Sequence, residues 1–508
     1  MRIHSSQELS ALKEKIQKKK SQMQKLTQII VYGSTCGIAS GAGEVWEAIN
    51  GELARMERDD VVLLKHACMG CCYAEPYISI KQKDSAPVFY ASLNEDKATE
   101  VVRGHLLKNE IANEYLLDLD TPFFTKQTKR ITELLGKIDP FEIGDYIAND
   151  GYLALASALR RDRKEVIAEV TASGLRGRGG AGFPTGKKWE FAYGAEGKPK
   201  YIVCNADEGD PGAYMNRAEL EGNPQAVLEG MAIAGYAIGA NKGYLYVRAE
   251  YPLAVETLKV ALDQAREHGF LGTNILGTSF DFDIELFLGS GAFVCGEETA
   301  LLASLEQKRG NPRHRPPFPA IEGLFGKPTV INNVGTLSNI PLIIRKGAKW
   351  WDSIGTDTTK GAKVFCLTGK INRGGLIEVP MGMSLNEIVF DIGGGIPAGK
   401  AFKAAQLGGP SGGCIPRPHL DLPIDYGSLQ EIGCIMGSGG MVILDEDSCM
   451  VDTARFFLEF DRDESCGQCL PCRRGLPLMI ETLEKISAGK GKVEDLCALE
   501  ELADGIKK

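Results

Sequence analysis

The chain has 508 residues, too many for a single hydrophobic core, so roughly two to four domains are expected. Hydrophobic residues are 44% and charged residues 25%, an ordinary globular balance, and no apolar run approaches the ~20 residues that cross a bilayer. The net charge of −9 argues against a broad basic face for nucleic acid.

The N-terminal stretch "MRIHSSQELSALKEKIQKKK" has no apolar h-region, so it does not read as a secretory signal and a cytoplasmic location is expected. Leu9, Leu12, Ile16, Met23 and Leu26 recur at helical spacing among lysines, which predicts an exposed amphipathic helix within 1–26. "TQIIVYGSTCGIASGAGEVWEAINGELARM" then reads as strand, Cys/Gly loop and helix, and "DVVLLKHACMGCCYAEPYISI" as strand, Cys loop and strand. Residues 27–110 therefore form a small α/β unit with cysteines at its loop ends, and 111–140 read as a linker. Cysteines number 14, many of them clustered, which in a long chain without a signal points to metal or redox sites rather than disulfides. Cys204, Cys366 and Cys414 stand alone and read as inert buried thiols.

Helices are expected up to about 172, and 141–345 form the largest unit. "SGLRGRGGAGFPTGKKWEF" holds Gly177, Gly179 and Gly182 in a G-x-G-x-x-G pattern. A Rossmann fingerprint follows a strand, but the preceding segment here has a helical pattern, so that reading is disfavoured. Consecutive small residues still let backbone N–H groups form an anion nest. Arg176, Arg178, Lys187 and Lys188 add positive charge, and Phe183, Trp189 and Phe191 offer flat faces, as a nucleotide requires. The plainer reading is a structural turn with a solvated basic rim. "CNADEGDPGAYMNR" gathers Asn205, Asp207, Glu208 and Asp210, whose amide and carboxylates suit hydroxyls and a ring edge. "GSGAFVCGEETALLASLEQKRG" is a glycine turn into a helix, with Glu297 and Glu298 where the helix dipole favours acids or where ribose diols would bind. Phe318, Asn332 and Asn333 follow. Residues 346–440 have β-like runs ("AKVFCLTGKI", "LIEVPMG"), and 441–508 look helical around "DESCGQCLPCRRG", which places Cys466, Cys469 and Cys472 at C-x2-C-x2-C spacing.

These segments, in this order over about 150–508, resemble the family of NADH-binding flavoprotein (FMN/[4Fe–4S]) subunits of respiratory complex I. The family includes the diaphorase subunits of NAD-dependent hydrogenases and formate dehydrogenases. The resemblance implies an α/β multidomain fold. It consists of a thioredoxin-like N-terminal domain, a Rossmann-like but non-classical FMN/NADH domain, a β-grasp-like domain of the SLBB type and a C-terminal helical bundle carrying a [4Fe–4S] cluster. It implies noncovalent FMN, with NADH as substrate and hydride and single electrons exchanged through the flavin. Gly177, Arg178, Gly179, Gly180 and Lys188 would cradle FMN, with Asn205, Asp207, Glu208, Gly296, Asn332 and Asn333 around the flavin. Phe183, Phe191 and Phe318 would line the adenine pocket. Glu298 would take ribose hydroxyls and disfavour a 2′-phosphate, and Glu297 and Asp210 would lie near the nicotinamide. Cys466, Cys469 and Cys472 would hold the cluster, with the fourth ligand expected beyond Lys508 and Cys497 expected to be a core thiol. Partners implied are iron–sulfur subunits of a hetero-oligomeric complex (a small thioredoxin-like ferredoxin subunit and a large catalytic or relay subunit) and ferredoxin.

Several positions depart from the family. Asp210 replaces a Glu, Phe293 a Tyr, Gly335 a Glu and Asn216 an Asp. These motivate a second reading, an electron-relay or assembly subunit that keeps FMN and the cluster without oxidising NADH. An electron-bifurcating module is a variant of the first, and a zinc knuckle at the Cys triplet is a third reading. The N-terminal unit resembles a thioredoxin-like [2Fe–2S] ferredoxin domain with a broken first cysteine pair. Tyr32 stands where a cysteine is expected, and Cys36, Cys68, Cys71 and Cys72 could supply four thiolates in an altered geometry. The alternative is a docking domain without metal.

Overall fold

The computed structural model describes residues 2–58 and 60–507, and its strands gather into three separate sheets. The first contains β1 (Thr27–Tyr32), β2 (Val61–His66), β3 (Ile78–Lys81) and β4 (Val88–Tyr90), in the order β2-β1-β3-β4. β1 and β2 are parallel, so the chain must cross over between them. The helix Ala42–Met56 makes that crossover, and its Val45 and Ile49 are buried with Ile29 and Val31 of β1. Because β1 and β2 run the same way, the Cys36 loop and the Cys68–Cys72 loop both leave from one end of the sheet.

The second sheet is wholly parallel. It comprises β5 (Tyr201–Ala206), β6 (Lys242–Arg248), β7 (Asp283–Gly289) and β8 (Thr329–Asn333), in the order β7-β6-β5-β8. Parallel sheets bury both faces, and this one does. On one side lie the helices Pro224–Ile238, Pro252–His268 and Val334–Lys346, whose buried residues join Ile202 and Leu245 in the main core. On the other, Leu301, Leu302 and Leu305 of the helix Glu298–Leu305 pack on Val203, Tyr246 and Ile331. The loops that follow β5, β7 and β8 therefore open at one edge, where ligands bind in sheets of this kind.

The third sheet is mixed, with β9 (Ala362–Gly369), β10 (Gly375–Pro380), β11 (Phe402–Leu407), β12 (Gly413–Pro416) and β13 (Gly440–Asp445) in the order β10-β9-β13-β11-β12. Three helices complete the chain, Met450–Asp463, Leu470–Ser487 and Val493–Lys507. The architecture is thus mixed α/β in several units with a helical C-terminal region. Among the described residues no helix is long and apolar enough to cross a membrane.

Two local expectations change. The helix Ser6–Met23 is not free: Leu9 is fully buried, Lys13 pairs with Asp150 at 2.5 Å, and Gln17 Nε2 donates to the Ala148 carbonyl at 2.8 Å. Its apolar edge joins the core of the second unit, not the sheet that follows it in sequence. The 111–140 segment, expected as a linker, is anchored on the third sheet. Glu378 on β10 is buried and needs donors, and the backbone N–H groups of Arg130 (2.7 Å), Ile131 (3.2 Å) and Thr132 (3.0 Å) supply them.

Candidate functional site

The glycine loop runs between two helices, Arg163–Ala172 and Thr185–Gly194, so it lacks the preceding strand of a Rossmann fingerprint. It closes on itself through the Gly177 N–H donating to the Phe183 carbonyl at 2.9 Å. Gly182 has φ +64°, and a Cβ there would stand 2.6 Å from the Tyr426 ring. A Cβ on Gly179 would stand 3.0 Å from Asn333 Cβ. Glycine is needed here so that the loop can lie against the end of β8 and against Tyr426, whose hydroxyl donates to the Gly177 carbonyl at 2.7 Å. Gly180 follows in the same turn with φ +130°.

Arg178 does not point at this cradle. Its side chain is buried, and the guanidinium donates to the carbonyls of Arg176 (2.8 Å), Lys360 (2.7 Å) and Ala362 (3.1 Å). It pins the loop to β9, because a buried guanidinium must satisfy its donors and these carbonyls are what surround it. Lys188 donates to the Ile331 carbonyl at 3.0 Å and lies 3.6 Å from Glu298, with burial lowering its pKa.

After β5, Asn205 Nδ2 donates to the Gly296 carbonyl at 2.9 Å and its Oδ1 accepts the Asp207 N–H at 3.0 Å. That link holds the loops after β5 and β7 together. Burial pushes Asp207 up to about 7, and among the described residues its buried Oδ2 has no hydrogen-bond partner. Its neighbours in sequence behave differently. Glu208 is fully enclosed and caps the helix Met215–Gly222, accepting from the N–H groups of Asn216 (3.0 Å) and Arg217 (3.1 Å) and from Tyr251 Oη (3.3 Å). Asp210 turns to the third sheet, accepting from Ser438 Oγ at 2.6 Å. Both carboxylates are thus engaged by donors of the protein itself. A cap needs an acceptor at the helix start, and Ser438 offers Asp210 a donor across the domain boundary.

The amide pair on β8 also separates, since successive strand residues face opposite ways. Asn332 Oδ1 accepts from Trp189 Nε1 at 3.0 Å, whereas Asn333 bonds Asn216 (3.2 Å) and caps the helix Val334–Lys346. Glu297 is the N-cap of the helix Glu298–Leu305, accepting from the N–H groups of Thr299 (2.8 Å) and Ala300 (3.0 Å). Glu298 is paired with Arg315 at 2.6 Å. Arg315 also lies 6.0 Å over the Phe318 ring, so Glu298 and Phe318 share one rim. Phe183, Phe191 and Phe318 are 46%, 47% and 55% exposed, which leaves flat apolar faces open at the mouth of the site.

Sequence reasoning missed Glu219 and Lys363. Both are buried beneath the glycine loop, which pushes Glu219 up to about 8 and Lys363 down to about 7. Lys363 Nζ donates to the Arg178 carbonyl at 2.8 Å and to the Ser438 carbonyl at 2.5 Å. Gly335 sits here too: a Cβ would meet Glu219 Oε1 at 3.2 Å, so a carboxylate side chain at 335 would start against one already buried. No local motif marks such a pair. Phe293 packs edge-on against Phe460 at 5.2 Å, and its N–H donates to Glu464 at 2.8 Å, which joins the loop after β7 to the cysteine-bearing helices.

In those helices Cys466 and Cys472 are partly buried, and Cys469 is exposed at the start of the helix Leu470–Ser487. Cys497 is exposed on Val493–Lys507, contrary to the core thiol expected, because no residue of that helix is buried. In the N-terminal unit, Cys68 Sγ, Cys72 Sγ and a Glu75 carboxylate oxygen lie within 4.8 Å of one another. Arg217 donates to Cys36 Sγ at 3.0 Å. Cys71 is fully buried and outside this group, and burial raises its thiol to about 12. Tyr32 stacks on Tyr77 at 4.7 Å, a core ring where a ligand was expected.

These surroundings fit the groups the sequence implied. The glycine-lined approach and the unpartnered Asp207 oxygen suit a polar ring system, and the cysteine triplet offers thiols of the kind that an iron–sulfur cluster takes. Comparison with known proteins agrees. Residues 170–342 match the Nuo51 FMN-binding domain, and 452–508 match the NADH-ubiquinone oxidoreductase-F iron-sulfur binding region. The chain is 59% identical over 382 residues to the NADP-reducing hydrogenase subunit HndC of Solidesulfovibrio fructosivorans, covering 75% of this chain and 78% of that protein. It is 45% identical over 353 residues to the F subunit of the NADH-quinone oxidoreductase of Aquifex aeolicus, covering 70% of this chain and 81% of that one. A crystal structure of an NAD+-reducing [NiFe]-hydrogenase in the air-oxidized state superposes with a TM-score of 0.64 at 29% identity, over 99% of this chain and 85% of that one. The chain belongs to the family of NADH-quinone oxidoreductase F subunits and their hydrogenase counterparts, oxidoreductase subunits that carry an FMN-binding domain and a 4Fe–4S-binding region.

Proposed function

We propose that this chain is the NADH-handling subunit of a cytoplasmic redox complex, taking hydride from NADH at FMN and passing single electrons through a [4Fe–4S] cluster to partner subunits. The observation that carries it is the meeting, at one edge of the parallel sheet, of the glycine cradle, the Asn205–Gly296 link, the unpartnered Asp207 carboxylate and the Glu298–Arg315 rim. When bound there, FMN supplies the change from two-electron to one-electron chemistry.

The chain's own residues hold and orient. Gly177 closes the turn, Gly179 and Gly180 present their backbone to a phosphate with Lys188 as the nearby cation, and Arg178, Lys363 and Glu208 fix the shape of the loops from behind. Asn205, Asp207 and Gly296 form the wall for the flavin edge, and Phe183, Phe191, Phe318 and Glu298 form the nucleotide rim. Residues 27–110 serve as a thioredoxin-like domain, 141–345 as the FMN/NADH domain, 346–440 as a β-grasp-like domain and 441–508 as the cluster domain, in which Cys466, Cys469 and Cys472 are ligands. Partner subunits are supported by the apolar side chains exposed along the helical region: Phe456, Leu470, Leu478, Val493 and Leu496.

An anaerobic titration tests this reading. NADH should bleach the flavin absorbance of the purified holoprotein stoichiometrically. Bleaching by dithionite but not by excess NADH would replace it with the relay reading.

A further inference from the structure

The loop after β2 carries a group that the flavin chemistry does not use. Four thiolates would be needed for a ferredoxin-type centre. Here Cys68 and Cys72 stand together, and Cys36 reaches the thiol of Cys72 from the facing loop. Cys71 is fully buried beside Tyr77 and Tyr32, within the core shared with the third sheet. Glu75 stands in its stead. One of its oxygens lies within 4.8 Å of both Cys68 Sγ and Cys72 Sγ, a spacing that ligands of one centre adopt. Its Oε1 is buried and, among the described residues, has no hydrogen-bond partner. A carboxylate oxygen in that state needs a donor or a cation.

The surroundings have the outer contacts that orient metal ligands. The Gly70 N–H donates to Cys68 Sγ at 3.2 Å, Arg217 to Cys36 Sγ at 3.0 Å, and Tyr214 Oη lies 3.6 Å from Cys72 Sγ. The Cys68 N–H donates to Ser34 Oγ at 3.0 Å, which ties the two cysteine loops together. Tyr214 and Arg217 follow the loop that carries Asp207, so the group sits directly behind the flavin wall.

We propose that Cys36, Cys68, Cys72 and Glu75 are the four ligands of a metal centre in the N-terminal unit, and that Cys71 is not a ligand. This rests on the reading of that unit as a ferredoxin-like domain, and it stands or falls apart from NADH oxidation. Three thiolates and a carboxylate suit a two-iron cluster or a single tetrahedral ion, and metal analysis separates the two.

The test uses the full chain purified anaerobically, with zinc, iron, acid-labile sulfide and FMN quantified per chain. Metal beyond the C-terminal cluster is expected: extra iron with sulfide marks a two-iron cluster, and zinc or iron without sulfide a single ion. Cys71→Ala should keep that extra metal, and Cys68→Ser should lose it. Glu75→Gln should lose at least half, while Glu75→Cys should restore it with a shifted absorption or EPR spectrum. Unchanged FMN content shows in each case that the variant has folded. Loss of the metal in Cys71→Ala, full retention in Glu75→Gln, or no extra metal in the unaltered chain would each overturn the assignment. Failure of NADH to bleach the flavin would leave these metal counts untouched.

Discussion

Glu298 shows how much a single residue's partner decides. An acidic residue on the nucleotide rim ordinarily repels a 2′-phosphate. Here its charge is balanced by Arg315 at 2.6 Å and Lys188 at 3.6 Å. On the proposed reading of this rim, that balance predicts more tolerance of NADPH than Glu298 alone would allow. Arg315→Ala should therefore raise the preference for NADH over NADPH by roughly three- to tenfold, the modest range of a partly exposed pair. The ratio of kcat/KM for the two nucleotides measures it, and an unchanged ratio would remove Arg315 from selectivity. The identity of Glu298 was plain from its motif. The pairing was not, because Arg315 lies on a separate loop and the contact exists only once both reach the rim.

Among the elements, the short helix Met215–Gly222 links the loop after β5 to the Cys36 loop of the N-terminal unit. Glu208 accepts from two of its first N–H groups, and its Arg217 reaches Cys36. Glu208→Ala should cost about 1–3 kcal/mol, as expected when a cap is lost and buried donors are left unmatched. A drop in thermal midpoint of several degrees would show it, together with weaker metal retention in the N-terminal unit. Strands such as β1, β2, β9 and β10, and the helix Glu298–Leu305, were readable in advance from the runs of apolar residues and the turns that bound them. The docking of Ser6–Met23 was not, since periodicity marks an apolar edge without naming the surface that covers it.

In the molecule as a whole, the cysteine-bearing helices touch the loop after β7 through Phe293, Phe460 and Glu464. An edge-on aromatic pair contributes about 0.5–1.5 kcal/mol beyond its buried area. Phe460→Ala should weaken this docking by that order and slow reduction of a one-electron acceptor, while NADH still bleaches the flavin; stopped-flow absorbance separates the two steps. Equal slowing of both would place Phe460 in nucleotide handling instead. At this scale the division between sequence and structure is clear. By itself the sequence determined the ordered glycine, acidic and cysteine motifs, and with them the family and its cofactors, because close backbone approach and ligand spacing are local properties of the chain. Only the tertiary structure decided that Arg178 and Glu208 brace the site from behind, that Asp210 faces Ser438, and that Glu75 stands beside Cys68 and Cys72 while Cys71 is buried in the core. Those outcomes depend on which way each side chain points when separate sheets and loops pack together, and residue spacing along the chain does not carry that information.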